Sequence, residues 1–205
     1  ILETKHRGPD DSGYFCNENI SLGNARLSII DLTERGRQPI WNEDNTICVI
    51  LNGEIYNFKE LREDLENRRH HFYSNTDTEV VVHLYEDYGE KCVNFLNGIF
   101  AFAVWDKNKK ELFLARDRSG VKPLYYYHSG GRFIFSSEIK GILSHPIARK
   151  VNEGALGIYF RMFYTPGPHT LFKNIYKVQP AHYMILKNGR LINERYWDII
   201  DEQIK

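Results

Sequence analysis

Arg26 is the first candidate for ligand binding in this sequence of 205 residues, and it lies at the predicted end of a strand. A guanidinium can hold a carboxylate through two parallel hydrogen bonds, a geometry that lysine cannot reproduce. A structural ion pair is the alternative interpretation of this arginine, and it is at least as well supported by the residue taken alone.

A second group of candidate residues is the Asn52-Gly53 step, which follows the continuous apolar run 46–51. That run predicts a strand covered on both faces, ending at Asn52-Gly53. An Asn-Gly step usually makes a hairpin turn, but here an amphipathic helix over 58–68 is predicted to follow, not a second strand. A side-chain amide beside a glycine N–H can stabilise an oxyanion, and glycine lets a substrate approach the backbone closely.

The third candidate is a carboxylate, Asp77, between Thr76 and Glu79. These two neighbours have the spacing of a capping box, which predicts a helix start and places Asp77 in the first turn. Stabilisation of the helix dipole, worth about 0.3–1 kcal/mol, is one interpretation of Asp77. Reception of a substrate ammonium is the other. Two further segments stand out. Taken alone, 6–13 is interpreted as a surface turn and 115–125 as a salt-bridged turn that only shapes the site.

The elements that must position these residues are mostly strands. Strands are predicted over 13–16, 20–27, 46–51, 99–105, 111–115, 124–127, 133–136, 181–186 and 189–196. Helices are predicted over 58–68, from about 76 to Gly89, over 138–143 and over 152–163. Strands and helices do not alternate regularly, which favours an α+β layered fold over a doubly wound one.

Composition excludes several classes of protein. Lysine plus arginine and aspartate plus glutamate number 27 each, so the formal net charge is zero, which argues against a nucleic-acid or anionic-membrane binder. No apolar run approaches the roughly 20 residues of a membrane span. Three scattered cysteines, Cys16, Cys48 and Cys92, indicate neither disulfides nor a CxxC zinc site and make the cytoplasm the expected location. The histidines, including His70-His71, show no ligand set with carboxylates, so no metal site is predicted.

The order of the motifs along the whole chain resembles one known family, the class II (N-terminal nucleophile) glutamine amidotransferase domain of glutamine-hydrolysing asparagine synthetase. Other class II enzymes share parts of this set, but the combination of NGEIYN with FAFAVWD indicates the asparagine synthetase branch. The motifs are HRGPDDSG (6–13), ARLSIID (25–31), QP (38–39), LNGEIYN (51–57), SNTDTEV (74–80), NGIFAFAVWD (97–106), ARDRSGVKPLYY (115–126) and SSEIKGIL (136–143).

The resemblance implies an α+β four-layer αββα sandwich, the N-terminal nucleophile hydrolase fold, lacking its first strand. It also implies a glutamine site in which Arg26 holds the α-carboxylate and Asp77 takes the α-ammonium. Asn52 and Gly53 would form the oxyanion hole, and Glu54 would help to bind the substrate. The complete set of implied glutamine-binding residues is Arg26, Leu27, Ser28, Ile29, Ile30, Asn52, Gly53, Glu54 and Asp77.

The family's nucleophile is an N-terminal cysteine, whose own α-amine can act as the base. The sequence begins at Ile1, so we expect the chain as given to lack the nucleophile and to be inactive. We expect a glutaminase domain over 1–150 and, over 151–205, an extension leading toward an ATP-dependent synthetase domain. The glutaminase part needs no cofactor or metal, whereas the synthetase domain would use ATP, magnesium and aspartate. The family also suggests a homodimer.

Two alternatives remain open at this stage. One is a related amidotransferase that delivers ammonia to a different acceptor, because acceptor choice would lie outside this part of the protein. The other is a non-catalytic glutamine-binding domain that never had the cysteine. Retention of the full set of pocket residues argues against the second alternative, since a degenerate site should have lost some of them.

Overall fold

A six-stranded antiparallel sheet organises the molecule. The computed structural model describes residues 1–200. The strands are β1 (Asp11–Cys16), β2 (Ser21–Arg26), β3 (Ile40–Trp41), β4 (Ile47–Ile55), β5 (Gly98–Asp106), β6 (Glu111–Arg116), β7 (Tyr125–Ser129), β8 (Arg132–Ser136), β9 (Ile175–Lys177), β10 (His182–Lys187) and β11 (Arg190–Arg195). The large sheet has the order β11-β10-β6-β5-β4-β3.

Four α-helices accompany the strands. They are α1 (Phe58–Asn67), α2 (Glu79–Tyr88), α3 (Ile139–Leu143) and α4 (Glu153–Met162). Three short 3₁₀ helices span Leu2–Arg7, Glu34–Gly36 and Gly89–Asn94. α1 and α2 cover one face of the large sheet, where their apolar side chains pack against those of β4, β5 and β6.

The opposite face of the large sheet is covered by two smaller sheets. One is the hairpin β1-β2, and the other has the order β8-β7-β9. Leu22 of the hairpin and Leu124, just before β7, belong to the same apolar cluster as Ala101 and Ala103 of β5. α3 packs on the outer side of the three-stranded sheet, where Ile142 contacts Tyr127. The layers therefore run helix, sheet, sheet, helix, which confirms the predicted αββα sandwich.

The alternation of side chains along β5 produces this layering. Phe100 and Phe102 point to the helical side, whereas Ala101 and Ala103 point to the smaller sheets. Successive residues of a strand face opposite sides of the sheet, so this single strand contributes to both cores. The alanines leave more room on their side of the sheet than the phenylalanines leave on theirs.

Two of the predicted boundaries that differ from the structure involve the elements carrying Asn52, Gly53 and Asp77. β4 does not stop at Asn52-Gly53 but continues to Ile55, pairing Asn52 with Ala101 and Gly53 with Phe100. The predicted strand ended too early because only the cross-strand partner, which is remote in sequence, shows that pairing continues. α2 begins at Glu79 with Thr78 as its N-cap residue and without a side-chain cap, so the predicted capping box does not form.

Strands of the predicted C-terminal extension take part in the same sheets as residues 1–150. β10 pairs with β6, and β9 pairs with β7. The domain boundary at residue 150 stays a prediction, and residues 201–205 of that extension lie outside the described residues. Over residues 1–200, no helix combines the length and the apolar character that a bilayer crossing requires.

Candidate functional site

A cavity of about 820 Å³ lies between β4 and β5 of the large sheet and the two smaller sheets. Eight of the nine predicted glutamine-binding residues line it, the exception being Ser28. The backbone N–H of Ser28 instead donates to Asp10 Oδ2 at 2.8 Å and so fixes the loop behind the cavity wall. The fold thus gathers residues from positions 26 to 77 around one space.

Arg26 is buried at the end of β2 and holds the loop that follows it. Its Nη1 donates to the carbonyl of Thr33 at 3.0 Å, and its Nη2 donates to the carbonyls of Ile30 and Asp31. Among the described residues these bonds use three of the five N–H donors of the guanidinium. The other two, Nε–H and one Nη1–H, have no partner within residues 1–200.

The loop carrying Leu27, Ile29 and Ile30 is also tied to the segment that precedes α2. Asp31 Oδ1 accepts from the backbone N–H of Thr33 at 3.1 Å, and its Oδ2 accepts from that of Asn75 at 2.8 Å. These hydrogen bonds hold the pKa of Asp31 below its usual range. Leu27 and Ile29 are 54% and 62% exposed, so the loop presents apolar side chains at the cavity mouth.

Gly53 has a backbone conformation that suits glycine alone, with φ of 143°. A Cβ atom at this position would lie 2.0 Å from the carbonyl oxygen of Ile99 on β5. Beside it, Asn52 directs its Nδ2 toward Ser137 Oγ at 3.3 Å. Ser137 fixes the side-chain amide of Asn52 at the cavity wall, where a neutral donor can meet a substrate carbonyl.

Asp77 and Glu54 place two carboxyl groups side by side at the cavity. Asp77 lies two residues before α2 and not in its first turn, and its Oδ2 accepts from the backbone N–H of Ile55 at 2.8 Å. Burial raises the pKa of Asp77 above its ordinary value. Burial and the neighbouring charge of Asp77 also raise the pKa of Glu54, although Lys122 acts in the opposite direction. A ligand ammonium between these groups would relieve their repulsion.

Two residues that position the site were not singled out by the sequence analysis. Gly36 leaves room for the guanidinium, because a Cβ there would lie 2.2 Å from Arg26 Nη2. The buried Gln38 accepts from the N–H of Leu51 on β4 at 2.7 Å and donates to Thr78 Oγ1 at 3.3 Å. The family motif QP contains Gln38, but only the fold reveals that it joins β4 to the start of α2.

The two charged segments 6–13 and 115–125 are fixed by hydrogen bonds and ion pairs. The buried Asp117 accepts from the N–H groups of Ser119, Val121 and Lys122 at 2.9–3.1 Å. In the other loop, His6 pairs with Glu138 at 2.8 Å. Segment 115–125 thus contains a turn held by its own hydrogen bonds, as predicted, whereas residues 6 and 7 end a 3₁₀ helix and residues 11–13 begin β1, so segment 6–13 is not a single turn.

A second group of titratable side chains lies outside the cavity. The expectation that histidines and carboxylates do not come together is wrong, because Glu43, His70, His83 and Glu86 converge within 4.8 Å. Only His83 and Glu86 share an element, at the i, i+3 spacing of one helix face. Glu43 and His70 come from separate loops, which is why spacing in the sequence did not reveal the group.

Comparison with curated proteins gives relatives that carry the same domain. The chain is 43% identical over 201 residues to asparagine synthetase [glutamine-hydrolyzing] 3 of Bacillus subtilis, covering 96% of this chain and 33% of that protein. It is 40% identical to a putative asparagine synthetase [glutamine-hydrolyzing] 2 of Methanocaldococcus jannaschii, covering 96% of this chain and 42% of the relative. The chain thus spans less than half the length of these relatives.

The fold has a counterpart among solved structures. The glutamine phosphoribosylpyrophosphate amidotransferase of B. subtilis superimposes with a TM-score of 0.61 at 21% identity, over 86% of this chain and 35% of the other. This likeness supports the N-terminal nucleophile fold. The model of the glutamine amidotransferase domain family matches residues 1–197, almost the entire chain. This match shows that the chain belongs to the glutamine amidotransferase domain family, and the relatives show that it is homologous to that domain of glutamine-hydrolysing asparagine synthetases.

Proposed function

We propose that this chain is the part of an asparagine synthetase that takes the amide nitrogen from glutamine. The ammonia would pass to an ATP- and magnesium-dependent step that amidates aspartate elsewhere in the full-length protein. We place this protein in the cytoplasm, which suits its scattered cysteines. The observation that carries the proposal is the single cavity that brings together Arg26, Asn52, Gly53, Glu54 and Asp77.

The charges around the cavity match the groups of free glutamine. Arg26 would bind the α-carboxylate through its positive charge and through the donors that the loop carbonyls leave open. Asp77 and Glu54 would receive the α-ammonium, which would favour their ionised forms. The side-chain amide carbonyl would then lie toward Asn52 and Gly53.

Asn52 and Gly53 would stabilise negative charge on that carbonyl oxygen as the amide is attacked. Such donors act strongly in a site from which water is excluded, because they are already oriented before the reaction. Hydrolysis would use the N-terminal cysteine that characterises this family, supplied by the full-length protein. Residues of this chain bind the substrate, orient its amide and stabilise the oxyanion.

The test is an isotope-transfer experiment on the full-length protein. With glutamine labelled by ¹⁵N at the amide, aspartate and MgATP, we expect the label in the side-chain amide of asparagine. Release of labelled ammonium without labelled asparagine would indicate a different acceptor. Binding of glutamine without release of its nitrogen would indicate the non-catalytic alternative.

A matched variant separates the two halves of this reaction. Arg26→Lys should abolish most transfer from glutamine but leave asparagine formation from free ¹⁵N-ammonium unchanged, because ammonium does not use the glutamine cavity. Equal loss with both nitrogen sources would contradict the role of Arg26 in glutamine binding.

Sedimentation of the same full-length protein would test the homodimer that the family suggests.

A further inference from the structure

Four side chains on the helical side of the large sheet direct one nitrogen or oxygen atom each at a common point. They are Glu43, His70, His83 and Glu86, and the four atoms all lie within 4.8 Å of one another. None of these residues lines the glutamine cavity. We propose that this cluster binds one Zn²⁺ ion in a tetrahedral structural site.

Three separate segments contribute the ligands. His83 and Glu86 are i, i+3 neighbours on α2, which places both side chains on one face of the helix. Glu43 lies in the connection between β3 and β4, and His70 lies in the segment after α1. Because two ligands are already fixed on one helix, an ion needs to recruit only one ligand from each neighbouring segment.

Three of the six distances between ligand atoms are close to those around a tetrahedral ion. Zinc bonds of 2.0–2.2 Å to nitrogen and oxygen imply ligand atoms roughly 3.3–3.6 Å apart. His70 Nδ1 lies 3.5 Å and His83 Nδ1 lies 2.8 Å from Glu86 Oε2. His83 Nδ1 lies 3.7 Å from Glu43 Oε2. These three values bracket the expected separation, and the widest pair of the four atoms, which lies within 4.8 Å, would have to close by side-chain adjustment.

Each carboxylate of the cluster is held by its other oxygen. Glu43 Oε1 accepts from the backbone N–H of His71 at 2.7 Å. Glu86 Oε1 accepts from Asn42 Nδ2, also at 2.7 Å. Both Oε2 atoms are thereby left pointing at the histidines, as single-oxygen ligands of a metal would be.

Both histidines turn Nδ1 toward the centre, and His70 also places its Nε2 against a further carboxylate. His70 Nε2 lies within hydrogen-bond distance of Asp87 Oδ1, at 3.1 Å, whereas the Nε2 of the fully buried His83 makes no hydrogen bond within residues 1–200 and lies 3.9 Å from Glu79 Oε1. Metal-bound histidines almost always have such an outer carboxylate or carbonyl on the second nitrogen. At His70 this pattern is independent of the convergence of the four inner atoms, and it points to the same ligand.

The charge and chemistry of the cluster select the ion. The carboxylates of Glu79, Glu86 and Glu43 all face the buried His83, so the centre attracts positive charge. Imidazole nitrogens disfavour Mg²⁺ and Ca²⁺, which bind oxygen, and suit Zn²⁺. Glu43 and Glu86 are 36% and 22% exposed and provide a path from solvent.

A zinc ion at this point would fasten α2 to the two loops beside it. Asp77 of the glutamine cavity lies only two residues before α2, so the ion would stabilise the helix that follows a substrate-binding residue. The proposal itself concerns zinc binding and does not depend on glutamine chemistry, so each can fail without the other.

The test is a zinc titration of the full-length protein after removal of metals with a chelator. With a chromophoric competitor present, we expect the wild type to bind one equivalent of Zn²⁺. His70→Ala should bind Zn²⁺ at least roughly 100-fold more weakly than the wild type does. His71→Ala is the matched control, because its side chain is outside the cluster and its backbone N–H is kept. It should retain the equivalent with affinity within about twofold.

Further variants keep the test decisive if His70→Ala unfolds. Glu43→Gln, at the exposed edge of the cluster, should also lose the equivalent, and Asp87→Asn should weaken it by about 10–100-fold. Co²⁺ should give the intense visible absorption of a tetrahedral complex in the wild type and not in His70→Ala. Absence of the equivalent from the wild type, or an equal loss in His71→Ala, would overturn the proposal and leave a hydrogen-bonded cluster of ionised groups.

Discussion

The two faces of the six-stranded sheet are packed for different purposes. On the helical face, large buried side chains such as Phe100, Phe102 and Phe113 fill the space beneath α1 and α2. On the other face, the same strands present small residues, Ala101 and Ala103, to two sheets that do not form one continuous layer. The cavity lies on this second face.

The difference shows how one strand can serve stability and binding together. Close packing on the helical face provides free energy through burial of apolar area. The alanines on the other face contribute less burial, but they make room for polar groups that carry unfavourable desolvation, including Asp77 and Glu54. Substitutions on the two faces should therefore affect different measurable quantities.

The largest effect is expected from Phe113→Ala on the helical face. Phe113 is fully buried, and its ring lies 5.5 Å from that of Tyr85 and 5.8 Å from that of Phe102, centre to centre. Its loss should lower the free energy of unfolding by about 3–5 kcal/mol. Urea unfolding measures this change, and calorimetry on the folded protein should find glutamine affinity unchanged within about twofold.

The conservative variant Phe113→Leu serves as the control for that result. It keeps most of the apolar volume and should cost clearly less than the alanine variant. A cost below about 1 kcal/mol for Phe113→Ala, or a large loss of glutamine affinity without loss of stability, would show that the two faces are not separable in this way.

Much of the layering was predictable from the sequence because it depends on local patterns. The predicted strand 99–105 and helix 58–68 agree with β5 and α1 to within one residue at each end, since their apolar periodicity is strong. β9 was missed because its three residues form a strand only through pairing with β7. The end of β4 was misplaced for the same kind of reason.

The candidate site was predictable as a set of residues but not as a network. Motif resemblance identified Arg26, yet nothing in the sequence shows that its guanidinium holds the carbonyls of its own loop. Gly36 and Gln38 were missed because their importance arises from atoms that approach them in space. The cluster around His83 was invisible for the same reason, since its four members span more than forty residues.

The next effect concerns the cavity face. Arg26→Lys should weaken glutamine binding by about 10–100-fold, equivalent to roughly 1.4–2.8 kcal/mol, because lysine cannot hold the loop carbonyls and a carboxylate in one plane. Calorimetric titration of the full-length protein measures the affinity. Arg35→Lys, at an exposed position of the same loop, should change it by less than twofold.

Retention of full affinity by Arg26→Lys would contradict the carboxylate-binding role. Equal weakening by Arg35→Lys would instead indicate that the loop responds to any change of its charge pattern. Either outcome would contradict the idea that substitutions on the helical face, such as Phe113→Ala, affect stability while substitutions on the cavity face, such as Arg26→Lys, affect glutamine binding.

The smallest effect is expected from Asp77→Asn, and it appears in the dependence of stability on pH. Burial raises the pKa of Asp77 in the folded protein, so the folded state holds its proton more tightly than the unfolded state does. The free energy of unfolding should therefore fall, from this group alone, as pH rises from about 4 through the raised pKa, by about 1.4 kcal/mol for each pKa unit of elevation. Asp77→Asn should lack this decline.

Asp11→Asn provides a comparison of opposite sign. The hydrogen bond from Arg37 lowers the pKa of Asp11, so its contribution to stability is present above about pH 4 and is lost as pH falls through the lowered pKa. In urea unfolding from pH 3 to 7, the free energy of unfolding of Asp77→Asn should therefore increase relative to the wild type as pH rises. That of Asp11→Asn should decrease relative to the wild type over the same range. Curves of the same sign at both positions would show that burial at the cavity does not control Asp77, and that this face is not strained by its acidic groups.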